Sequence, residues 1–251
     1  MDHEGRQGHC VLKDAENPQA KQPDASTLSP DSYERWRSSP LGSITEQIEQ
    51  EAVLAAADEL EGLSVLDVGC GDGAYSLLAW RCGARVIGID TSEAMLDVAR
   101  RRALVEGAPI DFIQGSVEHL PFAAESFDVV FMVTLLCLLN DPSLAVREVH
   151  RVLRPGGRLI VGELGSYSLW ALQRRLSGWL GNSFWRKAHF WTVHELHGLI
   201  AKEGFRVKST TGSIYYPPVG LAARTMCSAE GLLGHLGAFG AAFLTVSADK
   251  V

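Results

Sequence analysis

Residues 64–74, SVLDVGCGDGA, constrain the fold more than any other stretch of the chain. A short apolar run enters a turn with glycine at every second position, Gly69, Gly71 and Gly73, and leaves into a helix-forming segment at 74–81. Glycines so spaced let the backbone bend sharply and present N–H groups to a ligand where a Cβ would collide. The helix opening beyond them adds the positive end of a dipole. Strand, glycine turn and helix in that order open a parallel α/β sheet. The glycines alone leave the ligand undecided. Gly69-x-Gly71-x-x-Ala74 also fits a dinucleotide fingerprint, and a bare strand-to-helix turn would use the same residues.

The acidic residues weigh on that choice. Asp67 stands near the end of the strand and Asp72 inside the loop. Both carboxylates would repel a pyrophosphate and attract a ligand carrying an ammonium and a sulfonium. An acidic-x-Gly-x-Gly-x-Gly loop after a hydrophobic strand resembles the signature of the class I S-adenosylmethionine-dependent methyltransferases. A second resemblance lies at 148–157, EVHRVLRPGG, where a helix exits through a Pro-Gly-Gly turn into a strand. The similarity is to the small-molecule group that includes the ubiquinone and menaquinone methylases (methyltransferase type 11). It runs from about Tyr33 to the C-terminus and is most specific at 64–90 and 110–163.

The resemblance implies a Rossmann-like three-layer α/β sandwich with a seven-stranded, mostly parallel sheet whose last strand is antiparallel. It implies S-adenosylmethionine as cofactor, held by Asp67, Gly69, Cys70, Gly71, Asp90, Thr91, Met95, Ser116, Val117 and Val133. Asp90 closes an apolar strand (84–90) about twenty residues beyond the glycine turn, where a carboxylate accepts two hydrogen bonds from ribose hydroxyls. Met95 offers a thioether to pack against an adenine ring. In the family an Asp stands where this chain has Ser116; a hydroxyl still accepts a hydrogen bond, and Glu118 is close enough in sequence to substitute.

The remaining elements read as follows. Residues 1–30 are polar and aperiodic, a disordered tail ahead of a domain spanning 31–251. A helix is expected over about 43–60, with Ser43 as N-cap, Glu46 closing a capping box and Ile44, Ile48 and Ala52 on its apolar face. Strands are expected at 110–115, 126–133, about 158–163, 206–216 and 240–248. Asp141-Pro142 opens one helix, and Thr192 with Glu195 caps another. Segment 164–191 carries Trp170, Trp179, Phe184, Trp185, Phe190 and Trp191 beside Arg174, Arg175, Arg186, Lys187 and His189. In the resembled family such a variable segment covers the substrate, so the aromatics suit an apolar or planar acceptor and the cations a negative group on it; an amphipathic helix packed on the sheet or on a second subunit fits the same residues. Candidate pocket residues for the methyl acceptor are Tyr33, Trp36, Cys137, Trp185, His189 and Tyr216. His119, His150, His189 and Tyr216 are the candidates for a base, each better read as structural, so no catalytic residue is named.

Composition excludes several classes. A net charge of -7 argues against a dedicated nucleic-acid binder. Five scattered cysteines show neither metal spacing nor a disulfide framework, which suits a reducing cytoplasm. No apolar run reaches membrane-span length, the longest being 129–139. The expected activity is methyl transfer to a small-molecule acceptor. The alternatives are a non-catalytic S-adenosylmethionine-binding protein and an NAD-dependent oxidoreductase.

Overall fold

The computed structural model describes residues 30–226 and 237–251; the expected N-terminal tail and part of the segment before the last strand lie outside them. Strands β1 (Ser64–Val68), β2 (Arg85–Asp90), β3 (Asp111–Gln114), β4 (Phe127–Val133), β5 (Leu153–Leu164), β6 (Phe205–Ser213) and β7 (Phe243–Lys250) form one sheet in the order β3-β2-β1-β4-β5-β7-β6. β1 to β5 pair in parallel, and β7 runs antiparallel to both β5 and β6. This is the expected architecture, antiparallel last strand included.

Among the described residues the helices are α1 (Pro30–Arg37), α2 (Pro40–Ala57), α3 (Ala74–Arg81), α4 (Glu93–Glu106), α5 (Pro142–Val152), α6 (Leu169–Trp179), α7 (Ser183–Lys187), α8 (Val193–Lys202) and α9 (Gly220–Met226). They bury both faces of the sheet, so central strands read as unbroken apolar runs. β4 and β7 are buried over most of their length. For that reason the alternation of Thr245 and Ser247 with Leu244 and Val246 does not separate a wet face from a dry one: all four are buried.

Local chemistry sets the helix ends. Asp141 and Thr192 cap α5 and α8 as expected, Thr192 with the full capping box through Glu195. α2 departs from expectation. It begins at Pro40, and its N-cap is Ser39, whose Oγ accepts from the Gly42 N–H at 3.0 Å. A proline at the first helical position has no N–H to leave unpaired and a φ already suited to the helix, so the Ser39-Pro40 pair starts the helix a turn before Ser43. β5 likewise begins early, at Leu153. The Pro-Gly-Gly turn is taken up as a register shift between the pairs Phe127–Leu153 and Val129–Arg158.

Segment 164–191 folds as α6 and α7 rather than as one aromatic patch. Trp170 is buried and Trp179 is exposed. The Trp170 indole N–H donates to the Tyr216 carbonyl at 2.9 Å, and the Tyr216 hydroxyl lies 2.9 Å from Thr45 Oγ1. Thr45 Oγ1 itself donates to the Leu41 carbonyl at 2.7 Å, which makes Tyr216 the donor in the pair. Tyr216 is fully buried; it pins α2 and α6 together and offers no surface to a substrate, a correction to its reading as a pocket residue. Tyr216→Phe removes that one neutral hydrogen bond and should cost about 1 kcal/mol, lowering the melting temperature by about 2–4 °C. Thermal unfolding measures it, and an unchanged midpoint contradicts the pinning role.

Candidate cofactor cleft and acceptor pocket

The glycine loop sits at the carboxyl end of β1, where the sheet order switches between β2 on one side and β4 on the other. Ligands of open α/β sheets bind at such a switch point. The N–H groups of Gly69 and Cys70 both donate to the Ile89 carbonyl, at 2.7 and 3.1 Å, fastening the loop to the end of β2. Gly69, Gly71 and Gly73 all have positive φ, +69°, +53° and +78°. A Cβ on Gly69 would lie 2.8 Å from Leu135 Cδ1, and one on Gly73 3.0 Å from Phe112 Cζ. A Cβ on Gly71 would meet only Met95 Cε, at 3.5 Å. Two of the glycines are therefore fixed by packing, and the third faces open space beneath Met95.

Asp90 is the hinge of this cleft. One carboxylate oxygen accepts from the Gly71 N–H and the other from the Ser92 N–H, both at 2.8 Å. Each oxygen keeps a second lone pair. Asp67 is buried and accepts from Ser76 Oγ at 2.6 Å. Burial, with the Asp90 and Asp72 charges added, pushes its carboxyl up to about 7. Asp72 corrects the electrostatic reading of the sequence: it is buried and ion-paired to both Arg37 and Arg102. Its charge is neutralised from within the protein, which leaves Asp67 and Asp90 to set the potential of the cleft.

The other expected cofactor residues divide. Val117 and Val133 are buried at the ends of the β3 and β4 connections, and Ser116 Oγ accepts from the Glu118 N–H at 3.2 Å, closing the turn after β3. Thr91 is exposed, and its carbonyl accepts from the Gln114 side chain. Cys70 has only its backbone to offer the cofactor. Its side chain is buried with Leu77, Leu96 and Phe112 in the packing between α3, α4 and the sheet. Burial drives its thiol well up, so only its backbone faces the cleft. Thr134, next after β4, holds φ +50° and donates its N–H to the Gly162 carbonyl at 2.7 Å. A β-branched residue in that region is strained, and no sequence signal marked it.

Around Tyr75, the neighbour of Ser76, gathers a set of half-buried polar groups. The Tyr33 ring on α1 lies 5.9 Å from that of Trp36, tilted against it, and under the Arg37 guanidinium. Arg37 pairs with Asp72 and Glu46, tying α1 to the glycine loop and to α2. Burial raises the Tyr33 and Tyr75 phenols, and Glu49 and Glu46 act on both. Burial pushes the Glu49 carboxyl up to about 7, against the pull of Arg174. Cys137, in the 3₁₀ turn after β4, donates its N–H to Glu163 Oε1 at 3.2 Å. Its thiol is raised well above the ordinary value by burial, so it is a packing residue and no nucleophile. Trp185 and His189 line an open groove of about 760 Å³ together with Tyr167, Arg175 and Glu195. His189 is exposed, its ring 4.4 Å from that of Trp191.

Glu49 and Tyr75 were not anticipated, and Arg174 was marked only as one of several cations beside the aromatics of 164–191. A signal existed in the i, i+4 rows of their helices. Glu49 lies between buried Thr45 and Val53, and Arg174 between buried Trp170 and Gly178. Among the described residues no group of three or more His, Cys, Asp or Glu could hold a metal, and no helix is long and apolar enough to cross a membrane.

This fold and cleft define an α/β protein with a crevice suited to a nucleotide cofactor, and comparison with known proteins gives the family. The family described as "Methyltransferase domain" matches residues 66–161. A ubiquinone biosynthesis O-methyltransferase of Ruegeria pomeroyi is 34% identical, over 70% of this chain and 74% of that one. An uncharacterised protein of Mycobacterium tuberculosis is 32% identical, over 95% of this chain and 79% of that one. A solved S-adenosylmethionine-dependent methyltransferase of Thermotoga maritima, described as a possible histamine N-methyltransferase, superposes with a TM-score of 0.68 at 25% identity, covering 88% and 95% of the two chains. The chain belongs to the S-adenosylmethionine-dependent class I methyltransferases. It is an enzyme, and S-adenosylmethionine is its cofactor.

Proposed function

We propose that this enzyme methylates a small-molecule acceptor held between α1–α2 and α6–α7, beside the carboxyl ends of β1 and β4. The observation that carries the reading is the gathering of Tyr33, Glu49, Tyr75 and Arg174 from four separate helices, with Tyr75 reaching both Glu49 and Asp67. In this reading 31–251 is one methyltransferase domain in the cytoplasm, 1–30 a tail, and 164–191 the acceptor's cover. The net charge of -7 gives no footprint for a nucleic-acid substrate.

The residues present suit the cofactor. Open space over Gly71, two carboxylates and a thioether match an ammonium, a ribose and an adenine. Asp67 would take the ammonium, the free lone pairs of Asp90 the ribose hydroxyls, and Met95, Ser116 and Val117 the adenine, with Gly69, Cys70 and Gly71 supplying backbone and Thr91 and Val133 the border. When bound, S-adenosylmethionine supplies a methyl group already activated on a sulfonium. The protein then has to orient the acceptor, exclude water and accept a proton where the acceptor carries one. α1, latched through Arg37 and Asp72, excludes water. The Glu49 carboxylate, with its ionisation near neutrality, takes the proton.

Asp67 makes cofactor binding pH-dependent. Its folded value, about 7, lies above the ordinary value of about 3.9. The apo fold therefore gains from the protonated form at low pH and loses that stability as pH rises through about 7. A bound ammonium reverses the preference, so binding releases a proton. Affinity for S-adenosylhomocysteine should rise by up to about tenfold per pH unit between about pH 6 and about pH 7, then level off. Calorimetry in buffers of different ionisation enthalpy counts the proton; a flat profile, or one that Asp67→Asn leaves intact, removes Asp67 from this role.

Incubation with methyl-labelled cofactor and a cell extract tests the acceptor class. Label should enter the low-molecular-weight fraction; label confined to protein or nucleic acid contradicts the reading.

A further inference from the structure

We infer that the acceptor carries an anionic oxygen group on a flat apolar body, and that Arg174 binds that group between Trp170 and Trp185. This rests on the acceptor pocket proposed above and narrows what enters it.

Arg174 is 8% exposed. Its guanidinium carbon lies 5.0 Å from the centroid of the Trp170 ring and 4.7 Å from that of Trp185. Two indoles are good neighbours for a cation, but they satisfy none of its N–H donors. The Nε is buried with no hydrogen-bond partner, and among the described residues no carboxylate stands within ion-pairing distance of the group. Glu49 acts on it only through space. Burial lowers the guanidinium to about 10, so it stays cationic at neutral pH.

A buried charge without a partner is costly to keep. The other buried charged groups nearby have partners: Asp67 has Ser76, Asp72 has Arg37 and Arg102, and Glu163 accepts the N–H groups of Cys137 and Leu164. A second orphan adjoins Arg174, because the Trp185 Nε1–H is also buried without an acceptor. Guanidinium and indole N–H are donors only. What this place lacks is an acceptor, preferably an anionic one.

The geometry narrows the chemistry further. A guanidinium presents a planar fork that meets carboxylate or phosphate oxygens in pairs, and the aromatic residues packed around it give the place an apolar setting. Trp185 both flanks the cation and lines the open groove. An aromatic or polyene acid fits. A neutral or cationic amine acceptor would leave Arg174 unpaired.

The test is calorimetric titration of the full chain, saturated with S-adenosylhomocysteine, by 2-naphthoate, 2-naphthyl phosphate and 2-naphthamide, three probes with one ring system. The wild type should bind one or both anions at least about tenfold more tightly than the amide, the size expected when a charge-assisted pair replaces a neutral contact. The stronger anion tells carboxylate from phosphate. In Arg174→Gln the preference should vanish while affinity for S-adenosylhomocysteine stays the same. Arg174→Lys, which keeps the charge but not the fork, should restore part of it. Trp185→Phe, which removes the orphan N–H together with part of the aromatic face against the cation, should weaken the anions more than the amide. Equal affinities in the wild type, no saturable binding of any probe, or a preference that survives Arg174→Gln overturns the inference. Should the Arg174 variants fail to fold, the wild-type comparison and Trp185→Phe still decide. Loss of S-adenosylhomocysteine binding by the wild type would instead defeat the cofactor site, and the first titration reads it separately.

Discussion

Glu49→Gln should lower methyl transfer by about 10²- to 10⁴-fold, the usual effect of a positioned base, with affinity for S-adenosylhomocysteine unchanged. Glutamine keeps the size and polarity of the side chain and removes its ability to hold a proton. The carboxylate sits on the buried row of α2, between Thr45 and Val53, where loss of hydration raises it to about 7 and Arg174 holds it from rising further. A base so placed is half ionised at neutral pH. Wild-type turnover should therefore climb with pH through about 7 and then level off, and the variant should show no such step. The measurement is initial rate against pH under saturating cofactor. A full rate in the variant would mean that the acceptor arrives already ionised, and Glu49 would lose its role.

Asp90→Ala should weaken S-adenosylhomocysteine binding by about 10- to 100-fold, as expected for losing charge-assisted hydrogen bonds. The same change frees the N–H groups of Gly71 and Ser92 that the carboxylate now holds at 2.8 Å. Part of the loss thus comes from a loosened glycine loop. Asp90→Asn separates the two contributions, since an amide oxygen still accepts from a backbone N–H but carries no charge. Undiminished affinity in Asp90→Ala would sink the ribose assignment.

Much of the cofactor side was legible because its determinants are local. Glycines at alternating positions, an acidic residue at the end of β2 and the caps of α5 and α8 each act within a few residues of chain. A last strand was legible from its β-forming composition, and its antiparallel direction followed from the family resemblance. The acceptor side was not. Glu49, Tyr75 and Arg174 come from α2, α3 and α6, and a charge on an amphipathic helix normally reads as solvent-facing. Asp72 shows the same limit: its neutralising partner Arg37 lies 35 residues upstream, beyond the reach of any local pattern. The early start of α2 failed for a different reason. Two plausible N-caps, Ser39 and Ser43, stand four residues apart, and only the proline after the first separates them.

If the cleft at the β1–β4 switch point holds S-adenosylmethionine through Asp67, Asp90 and the glycine loop, calorimetric titration of the purified protein with S-adenosylhomocysteine, with NAD run in parallel, should show it most directly. Tight one-to-one binding of S-adenosylhomocysteine alone, weakened in Asp90→Ala, is the expected result. Binding of NAD alone, or of S-adenosylhomocysteine with equal strength in the variant, would contradict it.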